Sequence, residues 1–130
     1  MEKIERNNDE WKVFLTEEQF DICRRKGTET PFTGKYYNNN DKGIYLCVCC
    51  KNKLFKSDDK FDSGTGWPSF FQPFNNNSLI YEVDETLGIT RMEVLCKKCD
   101  SHLGHVFDDG PAPSFKRFCI NSVSLDFVKK

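Results

Sequence analysis

No apolar run in this 130-residue chain approaches the roughly 18 residues of a membrane span. Charge of neither sign is in excess, since 19 basic and 20 acidic side chains leave a formal net charge of -1. That balance gives no electrostatic reason to expect nucleic acid or an anionic membrane as a partner. The opening stretch, MEKIERNNDEWKVF, is too polar for a secretory signal, so a cytoplasmic location is expected. Low-complexity tails are missing too. NNNDKG (38–43) and NNNS (75–78) are flanked by ordered-looking segments and read as turns. Helical periodicity is confined to the N-terminal part, which excludes a helical bundle.

The length suits one domain, and a chain of this size can bury a sizeable core without disulfides. Residues 1–14 are charged and expected to be a flexible N-terminal segment, with the folded domain spanning 15–130. LTEEQFDICRRKG (15–27) reads as a short helix, with Thr16 as its cap, Gln19 completing a capping box and Gly27 as its stop. Phe20 and Cys23, three apart, share a face of it. GIYLC, LIYEV and ITRMEVLC read as strands, the last two joined as a hairpin around Asp84 to Gly88. RFCINSVSLDFV (117–128) is the longest strand candidate. The expected class is mainly β (α+β): antiparallel sheet with one or two short N-terminal helices packed on it.

The chain is rich in cysteine, with seven. An odd count in a reducing compartment points to metal binding or chemistry more than to a disulfide framework. Cys47-x-x-Cys50 and Cys96-x-x-Cys99 are separated by 45 residues, and each sits in a shared L-C-x-x-C-x-x-x-L pattern that suggests two similar turns. Two such knuckles offer four thiolates to one tetrahedral ion, which suits zinc, and four protein ligands leave no open position. The site is therefore expected to be structural, with one zinc per chain. A thioredoxin-like redox role for one pair lacks the strand-to-helix setting of that motif. Cys49, inside the first knuckle, is a spectator or an alternative ligand.

Three cysteines remain: Cys23, Cys49 and Cys119. Alternation along a strand puts Arg117, Cys119 and Asn121 on one face, continuing to Val123, Leu125 and Phe127. A polar patch thus sits where an apolar face runs out. Arg117 is close enough to stabilise a thiolate, which would lower the pKa of Cys119 and make it nucleophilic near neutral pH. The bland alternative is a small buried hydrophobe. His102 and His105, the two histidines, follow the second knuckle and are expected on a rigid turn, where either can move a proton near pH 7. Asp109 is expected to orient one imidazole. GTGWPSFF (64–71), too broken for a helix and too aromatic for a plain loop, needs a reason for Trp67.

Taken in order, TETPFTGKYY (28–37), SGTGWPSF (63–70), LCKKCDSHLGHVFDDGP (95–111) and RFCINS (117–122) resemble the B-type methionine sulfoxide reductases from about Leu15 to Phe127. The resemblance implies two facing antiparallel sheets, a structural zinc on Cys47, Cys50, Cys96 and Cys99, and reduction of the R epimer of methionine sulfoxide, free or in oxidised proteins. It implies Cys119 as the nucleophile, converted to a sulfenic acid. His102, His105, Asp109, Arg117 and Asn121 would surround it, with His105 the preferred proton donor. Trp67 would hold the substrate's methyl group, with Phe70 and Phe118 completing the apolar wall. Thioredoxin, glutaredoxin or a small thiol would be the reductant, and a monomer is expected. The pattern departs at Thr65, which fills the slot of a resolving cysteine in many members. Cys23 is the candidate substitute, although sharing a face with Phe20 also fits simple burial. The rival account is a zinc-stabilised β module that binds a protein or exposed bases without catalysis. A distant third is electron transfer through Cys47 and Cys50.

Overall fold

Residues 3–130 are described by the computed structural model. Two antiparallel sheets face each other, and two short helices close one side. Helix α1 (Asn8–Phe14) starts with a capping box between Asn7 and Glu10, and α2 (Glu17–Arg25) with one between Thr16 and Gln19. Each box satisfies two backbone donors that a helix start leaves free. At the far end Lys26 adopts the left-handed conformation and the Gly27 N–H returns to the Asp21 carbonyl, 3.0 Å away. The expectation of a flexible stretch over 1–14 differs from what residues 8–14 do. They form α1 because Trp11, wholly buried, gives that turn an apolar anchor among polar neighbours. The Arg24 guanidinium lies 4.7 Å from its ring centroid.

The smaller sheet runs β2 (Lys53–Lys56), β1 (Gly43–Cys47), β9 (Leu125–Lys129); the larger runs β3 (Lys60–Phe61), β4 (Ser69–Phe70), β8 (Arg117–Ile120), β7 (His102–Phe107), β6 (Arg91–Cys96), β5 (Leu79–Asp84). Aromatic rings join them. Phe55 stacks on Phe70 at 4.3 Å and lies 5.9 Å from Phe118, while Tyr45 meets Phe70 at 5.1 Å and Phe127 at 4.8 Å. Offset and edge contacts of this kind add to area burial as the main cohesion of the core. The β5–β6 hairpin forms where the sequence predicts it. The 117–128 stretch does not form one strand. It breaks at Asn121 into a 3-10 turn (Ser122–Ser124) and carries the chain from the larger sheet to the smaller. Val123, Leu125 and Phe127 therefore do not continue the face of Cys119. Among the described residues, no helix is long and apolar enough to cross a membrane.

Candidate active site and metal centre

The two cysteine knuckles are near copies. In each, the residue after the second cysteine has a positive φ (Lys51, 66°; Asp100, 62°) and donates its N–H to the first cysteine's carbonyl at 2.8 Å. The first cysteine's own N–H returns to Asn52 or Ser101, at 2.8 and 2.9 Å. Each turn thereby aims two sulfurs at one point. The Sγ atoms of Cys47, Cys50, Cys96 and Cys99 all lie within 4.8 Å of one another, with Cys47–Cys99 and Cys50–Cys96 at 3.6 Å. Four thiolates at zinc distances would stand about 3.8 Å apart along a tetrahedron's edges, so the cluster fits one four-coordinate ion. Cys49 is not part of it. The Ser101 hydroxyl touches the Cys99 sulfur at 3.1 Å and the Asn52 amide touches Cys96 at 3.6 Å, polar contacts that orient ligands from outside.

On the larger sheet, strand pairing writes a row of side chains across one face. Glu82 is the register partner of Glu93, Glu93 of His105, His105 of Cys119 and Cys119 of Ser69. His102 joins this face through an irregularity. Val94 pairs with Gly104 but Leu95 with His102, so β7 spends one extra residue there. Residues three apart on a regular strand face opposite ways; the bulge restores them to one side. The two imidazole centroids lie 5.6 Å apart. The expected rigid turn is therefore a bulged strand that starts directly after the knuckle.

Each imidazole has its own carboxylate. His105 Nε2 lies 2.8 Å from Asp84 Oδ2, and His102 Nδ1 lies 2.6 Å from Glu93 Oε2. Asp84 is also held by Arg91 at 3.0 Å, and hydrogen bonds from Thr86, then His105, hold its carboxyl well below the usual range. Asp109 orients neither histidine. It accepts two bonds from Arg117, at 2.8 and 3.2 Å, and is largely exposed. The reason is the pairing: Arg117 sits opposite Phe107, near the loop that carries Asp109, whereas Asp84 and Glu93 come from strands on the histidines' other side. Arg117 also lies 4.4 Å over the Phe107 ring.

A cavity of about 250 Å³ opens over this face, lined among others by Cys119, His105, Trp67, Thr65, Phe107 and Arg117. Burial pushes the Cys119 thiol up, while the Arg117 guanidinium and the Thr65 hydroxyl work against that. The net direction corrects the sequence reading, in which Arg117 alone sets a lowered pKa. Trp67 is half-buried, its Nε1–H donating to the Glu29 carbonyl at 3.1 Å. The loop before it needs glycine at 66, where φ is 95° and a Cβ would come within 2.8 Å of Phe32.

Phe70 and Phe118 do not line the cavity. Phe118 neighbours Cys119 on a strand, so it points to the opposite face, and both rings lie in the intersheet core. Asn121 borders the cavity but is committed to the scaffold: its amide donates to the Leu103 carbonyl at 3.0 Å and accepts from the Glu29 N–H at 3.0 Å. Cys23 is buried, 2 % exposed, against Ser124 and does not line the cavity. Sequence reasoning missed Asp84, Glu93, Arg91, Phe107 and Glu29. One signal was present, in that Glu93 interrupts an otherwise apolar strand end, MEVLC.

Comparison with known proteins finds relatives over nearly the whole chain. The model of the SelR domain matches residues 15–129. The chain is similar to the peptide methionine sulfoxide reductase MsrB of Pseudomonas fluorescens Pf-5, 52% identical over 130 residues and covering 100% of both chains. It is 51% identical over 127 residues to the protein of that name from Hahella chejuensis, covering 98% of this chain and 91% of the relative. To that from Methanosarcina barkeri it is 52% identical over 124 residues, 95% of this chain and 87% of the relative.

Proposed function

The chain belongs to the SelR-domain family, and from that premise we propose that it reduces methionine sulfoxide in oxidised proteins, taking the R epimer and using Cys119 as nucleophile. The observation that carries this reading is the register pairing of Cys119 with His105 beneath a cavity walled by Trp67. Sulfoxide reduction needs a sulfur nucleophile, a proton for the departing oxygen and an apolar seat for the methyl group. One face of the larger sheet carries the nucleophile and His105, and the loop before β4 adds Trp67 to the same cavity.

Burial keeps Cys119 as a thiol before substrate binds, so its proton has to leave as attack proceeds. The Cys119 sulfur gives two electrons to the sulfoxide sulfur and the S–O bond breaks. The oxygen passes to Cys119 as a sulfenic acid, and methionine leaves with the electron pair. The proton on the oxygen balances the one the thiol lost. His105, seated on Asp84, is placed to pass it. Arg117 faces the charge that develops on sulfur and oxygen, and Asp109 holds its fork in place. The Trp67 ring would take the electron-poor methyl, so that the two epimers direct oxygen and methyl differently. The sulfenic acid is then reduced by an external thiol, with thioredoxin, glutaredoxin or a small thiol as candidates. Zinc on Cys47, Cys50, Cys96 and Cys99 would pin β1 to β6 and fix the start of β7, and so the histidines. In the cell such chemistry serves protein repair under oxidative stress.

A single-turnover assay tests the reading, with each epimer as an N-blocked amino acid and no reductant. One equivalent of methionine from the R epimer, lost in Cys119→Ser, is expected. Product from neither epimer with folded, zinc-loaded protein would end the proposal.

A further inference from the structure

Glu29 takes no part in the chemistry above, yet it is 6 % exposed and touches the site at two points. Its backbone carbonyl accepts the Trp67 indole N–H at 3.1 Å, and its backbone N–H donates to the Asn121 side chain at 3.0 Å. Its carboxylate turns the other way. There Oε1 accepts the Val123 N–H at 2.9 Å, in the turn that ends β8. Three residues on, the Phe32 N–H donates to the Gly66 carbonyl at 2.7 Å, so the 29–32 segment is bonded twice to the loop carrying Trp67.

A carboxylate is an expensive residue to bury, and among the described residues no basic side chain bonds this one. A residue that merely filled space would be apolar. Room has also been kept for it. A Cβ on Gly34 would stand 2.4 Å from Glu29 Oε2 and 2.2 Å from Ser122 Oγ, so glycine at 34 leaves space for both groups.

We propose that Glu29 is a positioning residue, whose carboxylate, seated on the Ser122–Ser124 turn, fixes the backbone that sets the Trp67 ring over Cys119. The proposal rests on the sulfoxide reading for what Trp67 does, but the seat itself exists without substrate. The indole needs such a tether because its loop is built on two glycines with positive φ, at 64 and 66, and offers little stiffness of its own. The carboxylate anchors the segment to the turn that follows Cys119. Nucleophile and methyl seat thereby move as one piece.

The test reads the indole directly. In 1H–15N spectra of the zinc-loaded protein without substrate, the Trp67 Nε1–H signal is assigned with Trp67→Phe, leaving the signal of Trp11. Glu29→Ala is expected to move the Trp67 signal towards that of a free indole and to speed its exchange with water at least tenfold. Glu29→Gln keeps an acceptor for the Val123 N–H and is expected to hold the signal near its wild-type position. Where sulfoxide is reduced, Glu29→Ala should raise KM roughly tenfold with a smaller change in kcat, and Glu29→Gln should restore most of the loss. Should Glu29→Ala fail to fold, Gly34→Ala decides, since its methyl pushes on the same carboxylate. An unmoved Trp67 signal in the folded Ala variant overturns the proposal, as does a Gln variant that loses the signal as Ala does. Failure of the wild type to reduce either epimer would instead sink the functional reading and leave the indole result to stand by itself.

Discussion

Glu93 Oε2 lies 2.6 Å from His102 Nδ1, and neither side chain is more than 4 % exposed. The other oxygen of Glu93 takes Lys26 Nζ at 3.0 Å. Burial pushes the His102 pKa down, although Glu93 works against it, so the ring is neutral near pH 7. A neutral ring that gives Nδ1–H to the carboxylate carries its lone pair on Nε2, and that atom is buried without a partner. His102 is thus arranged as an acceptor. In the proposed reaction the proton donor is His105, which lines the cavity and has Asp84, on a different strand, as its carboxylate.

That arrangement has a cost below neutral pH. The folded pKa of His102 lies below its unfolded value of about 6.5, so the unfolded chain binds the extra proton first. Stability from this residue is complete above that value and falls as pH drops beneath it. The expected loss between pH 7 and 5.5 is on the order of 1 kcal/mol in urea unfolding, and His102→Asn should flatten the slope. Glu29, pushed up by burial, tilts the other way from about pH 4.5 upwards, so the comparison with the variant isolates the histidine. Equal slopes in both proteins would contradict the burial argument.

Replacing Glu93 by Gln keeps size and shape but lets an amide N–H face Nδ1. The imidazole can then carry its proton on Nε2, the wrong nitrogen for an acceptor. His102 lies beside His105 but does not line the cavity, so a fall in kcat smaller than the roughly 100-fold of a lost acid-base partner is expected, with near-normal KM. Nitrogen-15 shifts of His102 should report the exchanged tautomer. An unchanged tautomer with the same loss of rate would assign Glu93 a packing role.

The thiol of Cys119 should titrate above its usual value in the free protein, since burial outweighs Arg117. Alkylation by iodoacetamide, followed on the Cys119 peptide by mass, is expected to keep rising beyond pH 9. Arg117→Met and Thr65→Val each remove a group that favours the thiolate. Either should slow alkylation at pH 8 by about 3- to 10-fold. A plateau already reached at pH 7 would mean that the guanidinium governs after all.

The contrast between Arg117 and the histidines shows what the sequence could convey. The two CxxC pairs, the α2 capping box and the β5–β6 hairpin were legible because each is encoded locally, within a few residues. The partners of the imidazoles were not. Asp84 and Glu93 reach His105 and His102 through antiparallel register, which no local pattern states, and Asp109 is nearer in sequence to both. Phe118 was misplaced for a simpler reason: adjacency to Cys119 along the chain means the opposite face of the sheet. The bulge at Leu103 also escaped, although a His-x-x-His spacing on a strand needs one to bring both rings to one side.

Metal removal tests the clamp between the sheets. One equivalent of zinc per chain is expected by elemental analysis, and Cys99→Ser or a strong chelator should lower the midpoint of unfolding by well over 10 °C, since the site's binding energy is folding energy. Cys49→Ser should retain the metal, because its sulfur lies outside the cluster. Loss of metal in that variant would replace the assigned ligand set.

Cys23 bears on how Cys119 is recycled. Thr65 cannot form a disulfide, and its hydroxyl instead faces the Cys119 sulfur and favours the thiolate. Cys23 is 2 % exposed, with its sulfur 3.6 Å from the Ser124 hydroxyl, which in turn donates to the His102 carbonyl at 3.0 Å. Reaching Cys119 would require α2 to leave the turn it packs on, breaking that buried contact. Direct reduction of the sulfenic acid by an external thiol needs no such movement, because the cavity over Cys119 already exposes it. Cys23→Ser is therefore expected to leave both the single-turnover yield and dithiothreitol-driven turnover at wild-type levels. After one turnover without reductant, thiol counting in the metal-free, denatured protein should find one cysteine consumed, trapped as a sulfenic acid adduct on Cys119. Two thiols consumed, with a linked Cys23–Cys119 peptide, would show that the helix does open and would restore Cys23 as the resolving residue.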